Sequence, residues 1–138
     1  MSAQEDKTVV RRYFEEFHNQ RADAVLEQIM APDLLADTRQ ATDRLRTAFP
    51  DYHLTIDDQV AESDRVATVW TGQGTHQGEW DSPIGPVSPT SLAATWTGTT
   101  TLRLTNGKIA GVVGSNWDHL GILQQLGVLA AADRRSGA

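Results

Sequence analysis

Apolar residues in the first third of the chain recur with the period of a helix. Val9, Val10, Tyr13, Phe14 and Phe17 fall at i, i+1, i+4, i+5 and i+8, which makes one stripe. Ala22, Val25, Leu26, Ile29 and Met30 make a second, and Pro32, which lacks an amide hydrogen, prevents its extension. A third helix is expected from about Thr38 to Phe49, with Asp37 or Thr38 as N-cap and Pro50 as terminator. Its polar face of Arg39, Asp43, Arg44 and Arg46 reads as a solvated surface.

Past Pro50 the period drops to two. Leu54, Ile56 and Val60 alternate with polar residues, Glu62-Ser63-Asp64 makes a turn, and Val66 to His76 forms the next strand. A long strand from about Leu92 to Leu104 reaches Asn106-Gly107, a hairpin signal, and Ile109 to about Ser115 returns antiparallel. A last helix starts near Asp118, covers Leu120 to Leu126 and stops at Gly127. The tail from Ala130 to Ala138 is expected to fray. Between the strands, Asp81 to Ser91 holds Pro83, Gly85, Pro86 and Pro89 and reads as a surface loop or lid, because proline cannot serve a central ladder. Helices first and an antiparallel meander afterwards predict an α+β fold, with one domain over residues 1–138.

Parity along the two long strands supplies the first hint of a site. Val66, Thr68, Trp70, Gly72, Gly74 and His76 share one face of the first, and Leu92, Ala94, Trp96, Gly98, Thr100 and Leu102 share one face of the second. Thr95, Thr97, Thr99, Thr101 and Arg103 face the other way, toward solvent. Glycines beside tryptophans on a concave sheet suit a pocket wall for a flat organic molecule, and equally a plain aromatic core. A bulge at either glycine would reverse the facing. His76 fits a structural histidine or an acid/base group, Asp118 a helix cap or a catalytic carboxylate. Tyr13, on the apolar side of its helix, needs a partner or a ligand for its hydroxyl.

Composition narrows the partners. With 12 Lys+Arg against 18 Asp+Glu the net charge is −6, and no basic stripe invites nucleic acid. The absence of cysteine excludes disulfides, thiolate zinc ligands and a thiol nucleophile. No signal-peptide pattern and no membrane-spanning apolar run occur, which predicts a soluble, cytoplasmic protein. Dinucleotide, P-loop, serine-hydrolase and zinc-protease motifs are missing, so no metal is expected.

Four blocks resemble the SnoaL-like polyketide cyclases (ester cyclases) of the nuclear-transport-factor-2-like superfamily. They are Phe49-Pro50-Asp51 leading to Val60-Ala61-Glu62-Ser63-Asp64-Arg65-Val66, then Gly74-Thr75-His76-Gln77-Gly78-Glu79-Trp80, and then Trp96-Thr97-Gly98 with Leu102-Arg103 and Asn106-Gly107-Lys108-Ile109. The closing Asp118-His119-Leu120-Gly121-Ile122-Leu123-Gln124-Gln125-Leu126-Gly127 is the most specific. The resemblance implies a cone-shaped barrel of three to four helices on a strongly curved antiparallel sheet enclosing an apolar pocket. It implies ring closure in a small hydrophobic polyketide-like substrate, as in antibiotic biosynthesis, without cofactor, and a homodimer or homotetramer.

By that resemblance Asp118 is the acid/base of an intramolecular aldol reaction and His76 lies at the pocket. Burial against Trp117 would raise the Asp118 pKa toward neutrality, and His76, Asn116 or Tyr13 would donate to the developing oxyanion. Trp70, Trp80, Trp96 and Trp117 would wall the substrate. Two departures reshape the pocket mouth. Val112 and Gly114 stand where the family has an acidic residue and a tryptophan, and the proline-rich loop after Trp80 is longer than usual. Epoxide opening, pericyclic ring formation and cofactor-free hydroxylation on the same fold stay open, as does simple binding of a hydrophobic metabolite.

Overall fold

A computed structural model of the chain describes residues 2–130. Helix α1 spans Ala3–Arg12, its first turn closed by Ser2, whose hydroxyl accepts the Glu5 amide at 3.1 Å. It continues unbroken into a π-helical stretch, Tyr13–Asn19. Helix α2 is Val25–Ile29, and α3 is Pro32–Ala48. The strands are β1 (His53–Glu62), β2 (Arg65–Thr75), β3 (Trp80–Ser82), β4 (Gly85–Val87), β5 (Ala93–Thr105) and β6 (Lys108–Trp117), and α4 spans His119–Gln125. The main sheet has the antiparallel order β1-β2-β5-β6, and β3-β4 is a separate hairpin. The architecture is the expected α+β arrangement, helices against one face of a curved antiparallel sheet.

Several boundaries differ from the sequence pattern. Helix α3 begins at Pro32, not near Thr38, because proline is well suited to the first helical position, where its missing N–H has no intrahelical partner to lose. Asp37 is therefore inside the helix and caps nothing. The Asp81–Ser91 segment starts as the β3-β4 hairpin, so it is only partly a loop. Pro86 fits because β4 belongs to a two-stranded sheet with an open edge. In β1 a bulge between Ile56 and Asp58 shifts the facing by one residue, which turns Val60 outward (61% exposed) and Gln59 inward against Thr68. Leu92 precedes β5 and is exposed, although parity placed it inside. The expected fraying falls on residues 131–138, outside the described ones.

The facing of β2 and β5 follows parity without a bulge. Val66, Thr68, Trp70, Gly72 and Gly74 are buried on one strand, and Ala94, Trp96, Gly98, Thr100 and Leu102 on the other. Trp70 pairs with Gly98 and Trp96 with Gly72 across the ladder. Each indole lies over the facing glycine, so closely that a Cβ on Gly72 would stand 2.6 Å from the Trp96 ring, and one on Gly98 would collide with Trp70. The Asn106-Gly107 hairpin forms with positive φ at both residues, 51° and 77°. Phe14, Phe17, Leu26 and Ile29 from the helices complete the core with Phe49 and Ile122.

Alanine normally improves on glycine in a strand interior, but here the sign reverses. Gly98→Ala is expected to destabilise the fold by about 1–3 kcal/mol through overpacking against Trp70. Urea unfolding followed by tryptophan fluorescence measures it, and pairing with Trp70→Leu should recover most of the loss. A stabilised Gly98→Ala single variant would show that the indole does not need the glycine.

Candidate active site

Helices and sheet do not close completely on one another. Between them lies a cavity of about 380 Å³, within the usual range of small-molecule sites. Its sheet wall is Trp70, Thr100, Leu102, Val112, Ser115 and Trp117. Val112 and Ser115 reach it together because β6 is bulged between their positions, which brings residues three apart to one face. The α3 wall is Leu34, Asp37, Thr38, Ala41, Thr42 and Leu45, a helical stripe at i, i+3, i+4, i+7, i+8 and i+11.

The third wall comes from the π-helical stretch. In an α-helix, residues five apart point roughly 140° away from one another. The wider π turn, closed by i to i+5 bonds, sets them on the same side. Tyr13 and His18, five apart, both line the cavity with ring centroids 4.6 Å apart and edge to face. The stripe drawn at α-helical spacing therefore passed over His18.

The polar groups of the cavity are nearly all neutral. Burial raises the Tyr13 pKa, assisted by nearby Tyr52, so the phenol keeps its proton. Burial pushes His18 down to about 3, with the Arg46 and Arg21 charges acting in the same direction, so its imidazole is neutral. Its Nδ1 is 2.8 Å from the Tyr52 hydroxyl. On the sheet side, the Trp70 indole N–H donates to Thr100 Oγ1 at 3.0 Å, and Thr100 and Ser115 hydroxyls are 3.0 Å apart. Asp37, exposed on the rim, is the one charged side chain among the described residues lining the cavity.

The sequence-predicted residues divide into two groups. Tyr13, Trp70 and Trp117 line the cavity; His76, Trp80, Trp96, Asn116 and Asp118 do not. His76 is fully buried, its Nδ1 accepting the Thr90 N–H at 3.1 Å, and burial lowers its pKa. It ties the segment after β4 to the end of β2. Trp96 is behind the wall, stacked on Trp117 at 6.1 Å, and Trp80 packs edge to face on Phe49 and stacks with His119. Asn116 pairs with Thr99 on the outer face of the sheet. Asp118 is exposed and caps α4, its Oδ1 accepting the Gly121 N–H at 3.0 Å. A Cβ on Gly121 would overlap that carboxylate where it now lies, so a side chain there would have to push the cap aside. Of the residues not singled out from sequence, Thr100 was legible by parity, whereas His18, Asp37 and Ser115 depended on the π turn, the early start of α3 and the β6 bulges.

The model of the SnoaL-like polyketide cyclase family matches residues 7–126. The chain belongs to that family. The SnoaL-like match runs from α1 through α4 and so includes all three cavity walls as well as Asp118. No curated protein matches the chain. Among solved structures, AclR of Streptomyces galilaeus, a proposed hydroxylase, is similar with a TM-score of 0.80 and 27% identity, covering 98% of this chain and 93% of that one. A proposed SnoaL-like polyketide cyclase from Jannaschia sp. CCS1 superposes with a TM-score of 0.81 at 17% identity, covering 92% and 94%. IdmH of Streptomyces antibioticus, a proposed polyketide cyclase, gives 0.73 at 23% identity, covering 89% and 99%. Among the described residues of this SnoaL-like chain no helix is long and apolar enough to cross a membrane.

The buried neutral imidazole has a thermodynamic signature. Unfolded, His18 takes up a proton near pH 6.5, but folded only near 3, so the unfolded state binds the extra proton between those values. Stability therefore falls as pH drops below 6.5. His18 alone should account for about 2 kcal/mol of loss between pH 8 and pH 5. Urea unfolding at both values measures this, and His18→Gln should lose correspondingly less on acidification. An identical pH dependence in that variant would mean that His18 protonates in the folded protein.

Proposed function

We propose that the chain is a cofactor-independent cyclase that closes a ring in a small, hydrophobic, polyketide-type substrate held in the cavity. One observation carries the reading: a largely apolar, aromatic cavity contains neutral hydrogen-bond donors and has a single carboxylate, Asp37, at its rim. An intramolecular aldol closure needs these parts. A base takes a proton from carbon beside a carbonyl, and the enolate carbon attacks a second carbonyl of the same molecule. The new alkoxide then receives a proton, so nothing is gained or lost overall.

Asp37 is the carboxylate placed to take that proton, and an acidic proton between two carbonyls suits a weak base. The Tyr13 phenol and the His18 imidazole offer hydrogen bonds to the oxygen that gains charge, in surroundings where such bonds are stronger than in water. Aromatic walls that fold the substrate into a reactive conformer supply the rest. A second reading keeps Asp118 as the base. It is supported by the family match across that residue, and its Oδ1 is engaged by the Gly121 amide.

Mass spectrometry of metabolites separates these readings. The producing strain is compared with the gene deleted and with Asp37→Asn, Tyr13→Phe or Asp118→Asn restored. Deletion and Asp37→Asn should accumulate a precursor equal in mass to the lost product, or heavier by one water, with turnover reduced at least about 100-fold. Asp118→Asn should restore product. The reverse pattern would transfer the base to Asp118, and a precursor lighter by one oxygen would replace cyclisation by hydroxylation, the activity proposed for AclR.

A further inference from the structure

His18 faces the cavity with one nitrogen already engaged. Its Nδ1 is 2.8 Å from the Tyr52 hydroxyl, and Tyr52 itself is 2% exposed. What that hydroxyl does with its proton decides the form of the imidazole. Two guanidinium groups surround Tyr52. Arg21 lies over its ring at 4.1 Å, and Arg46 approaches the hydroxyl. Arg46 is held in turn by Asp23 at 2.9 Å and donates to the Phe17 carbonyl at 3.2 Å.

A guanidinium is positive and has only donors, so with Arg21 over the ring and Arg46 nearby the Tyr52 oxygen turns its lone pairs toward the cations and its proton away from them. The acceptor left for the Tyr52 proton is His18 Nδ1. An imidazole that accepts at Nδ1 and is neutral carries its own proton on Nε2. We propose that Tyr52, oriented by Arg46, fixes His18 as the Nε2–H tautomer and thereby aims a neutral hydrogen-bond donor at the oxygen that gains charge during ring closure. Tyr52 and Arg46 are positioning residues in this scheme, and its catalytic half rests on the proposed cyclisation.

The groups facing His18 all favour that state. Tyr13 is on its own helical stretch, Tyr52 precedes β1, and the cations Arg21 and Arg46 come from the loop after the π-helical stretch and from α3. Two positive charges without a carboxylate in contact oppose a third on the ring, and burial acts in the same direction. Neutral donation needs no counter-ion from the substrate, and the ring does not have to lose a proton before it can act.

Nitrogen-15 NMR of the imidazole tests the tautomer directly, with His18 assigned through its contacts to the Tyr13 and Phe17 rings. The unsubstituted protein should show the proton on Nε2 alone, unchanged from pH 8 to pH 5. Tyr52→Phe should show mixed tautomers or a titrating ring. A proton on Nδ1 in the unsubstituted protein overturns the proposal without any variant having to fold, and so does an unaltered Nε2–H form in a folded Tyr52→Phe.

For the catalytic half the probe is the precursor accumulated by the deletion strain. With it, Tyr52→Phe should lower kcat about tenfold and leave KM within about twofold. Full turnover in His18→Gln, with the Nε2–H tautomer observed, would sink the donor role and leave the relay standing. Lost turnover in His18→Gln, with the proton found on Nδ1, would overturn both halves, because a neutral ring protonated there has no Nε2–H to donate.

Discussion

Two indoles and two missing side chains fix the centre of this sheet. Trp70 faces Gly98, and two residues along, Gly72 faces Trp96. Directly opposed Cβ atoms in an antiparallel pair stand about 4.5–5.5 Å apart. Two tryptophans at that distance could not both lie flat on the sheet. A slip of two residues would set Trp70 against Trp96, and a slip of one would put the two indoles on opposite faces and turn one of them to solvent. The alternation of large and absent side chains thus admits one register. It also lays the aromatic floor on which Trp117 stands, edge to face with Trp70 at 5.5 Å and stacked on Trp96. The cavity lies between Trp70 and Trp117 on this floor and the helices above it, which leave the space unfilled.

What fills that space chemically is restrained. A buried charge would have to be desolvated and paired, and the walls supply hydroxyls and one neutral imidazole in place of cations. Each polar group inside is either engaged or turned to the cavity. The Trp70 indole donates to Thr100, whose hydroxyl pairs with Ser115, and Thr42 returns its hydroxyl to the Thr38 carbonyl at 2.8 Å. Such a wall suits the neutral, carbonyl-bearing substrate proposed above, without the competition that a resident salt bridge would offer.

The architecture was legible because helical and strand periods are clear in the chain and because Asn106-Gly107 and Gly127 mark their ends. The cavity wall was legible only where those periods ran true. Parity found Trp70 and Thr100 because β2 and β5 are unbulged. It missed Ser115 because β6 skips residues twice, and it placed Val60 inside because β1 skips one. His18 was invisible to a 3.6-residue period, since only a π turn sets it beside Tyr13. Asp37 sits where a cap is expected if Pro32 ends one helix, whereas Pro32 starts the next and puts Asp37 inside it. In each case local geometry departed from the regular element.

The same contrast bears on how a site can be read from a motif. The Asp118-x-x-Gly121 turn is the most recognisable stretch of the chain, and its geometry explains itself structurally: a carboxylate caps an amide, and the glycine leaves room for the carboxylate. A short, tightly packed cap constrains several adjacent residues at once, so it leaves a strong mark in sequence. A cavity wall drawn from the π-helical stretch, α3, β1, β2, β5 and β6 does not. Its residues are far apart in the chain, and those outside the Trp70–Gly98 pair can change while the sheet and its caps stay intact. A recognisable scaffold with a dispersed wall is how one fold comes to host different reactions, and the wall, residue by residue, is where this chain's chemistry has to be sought.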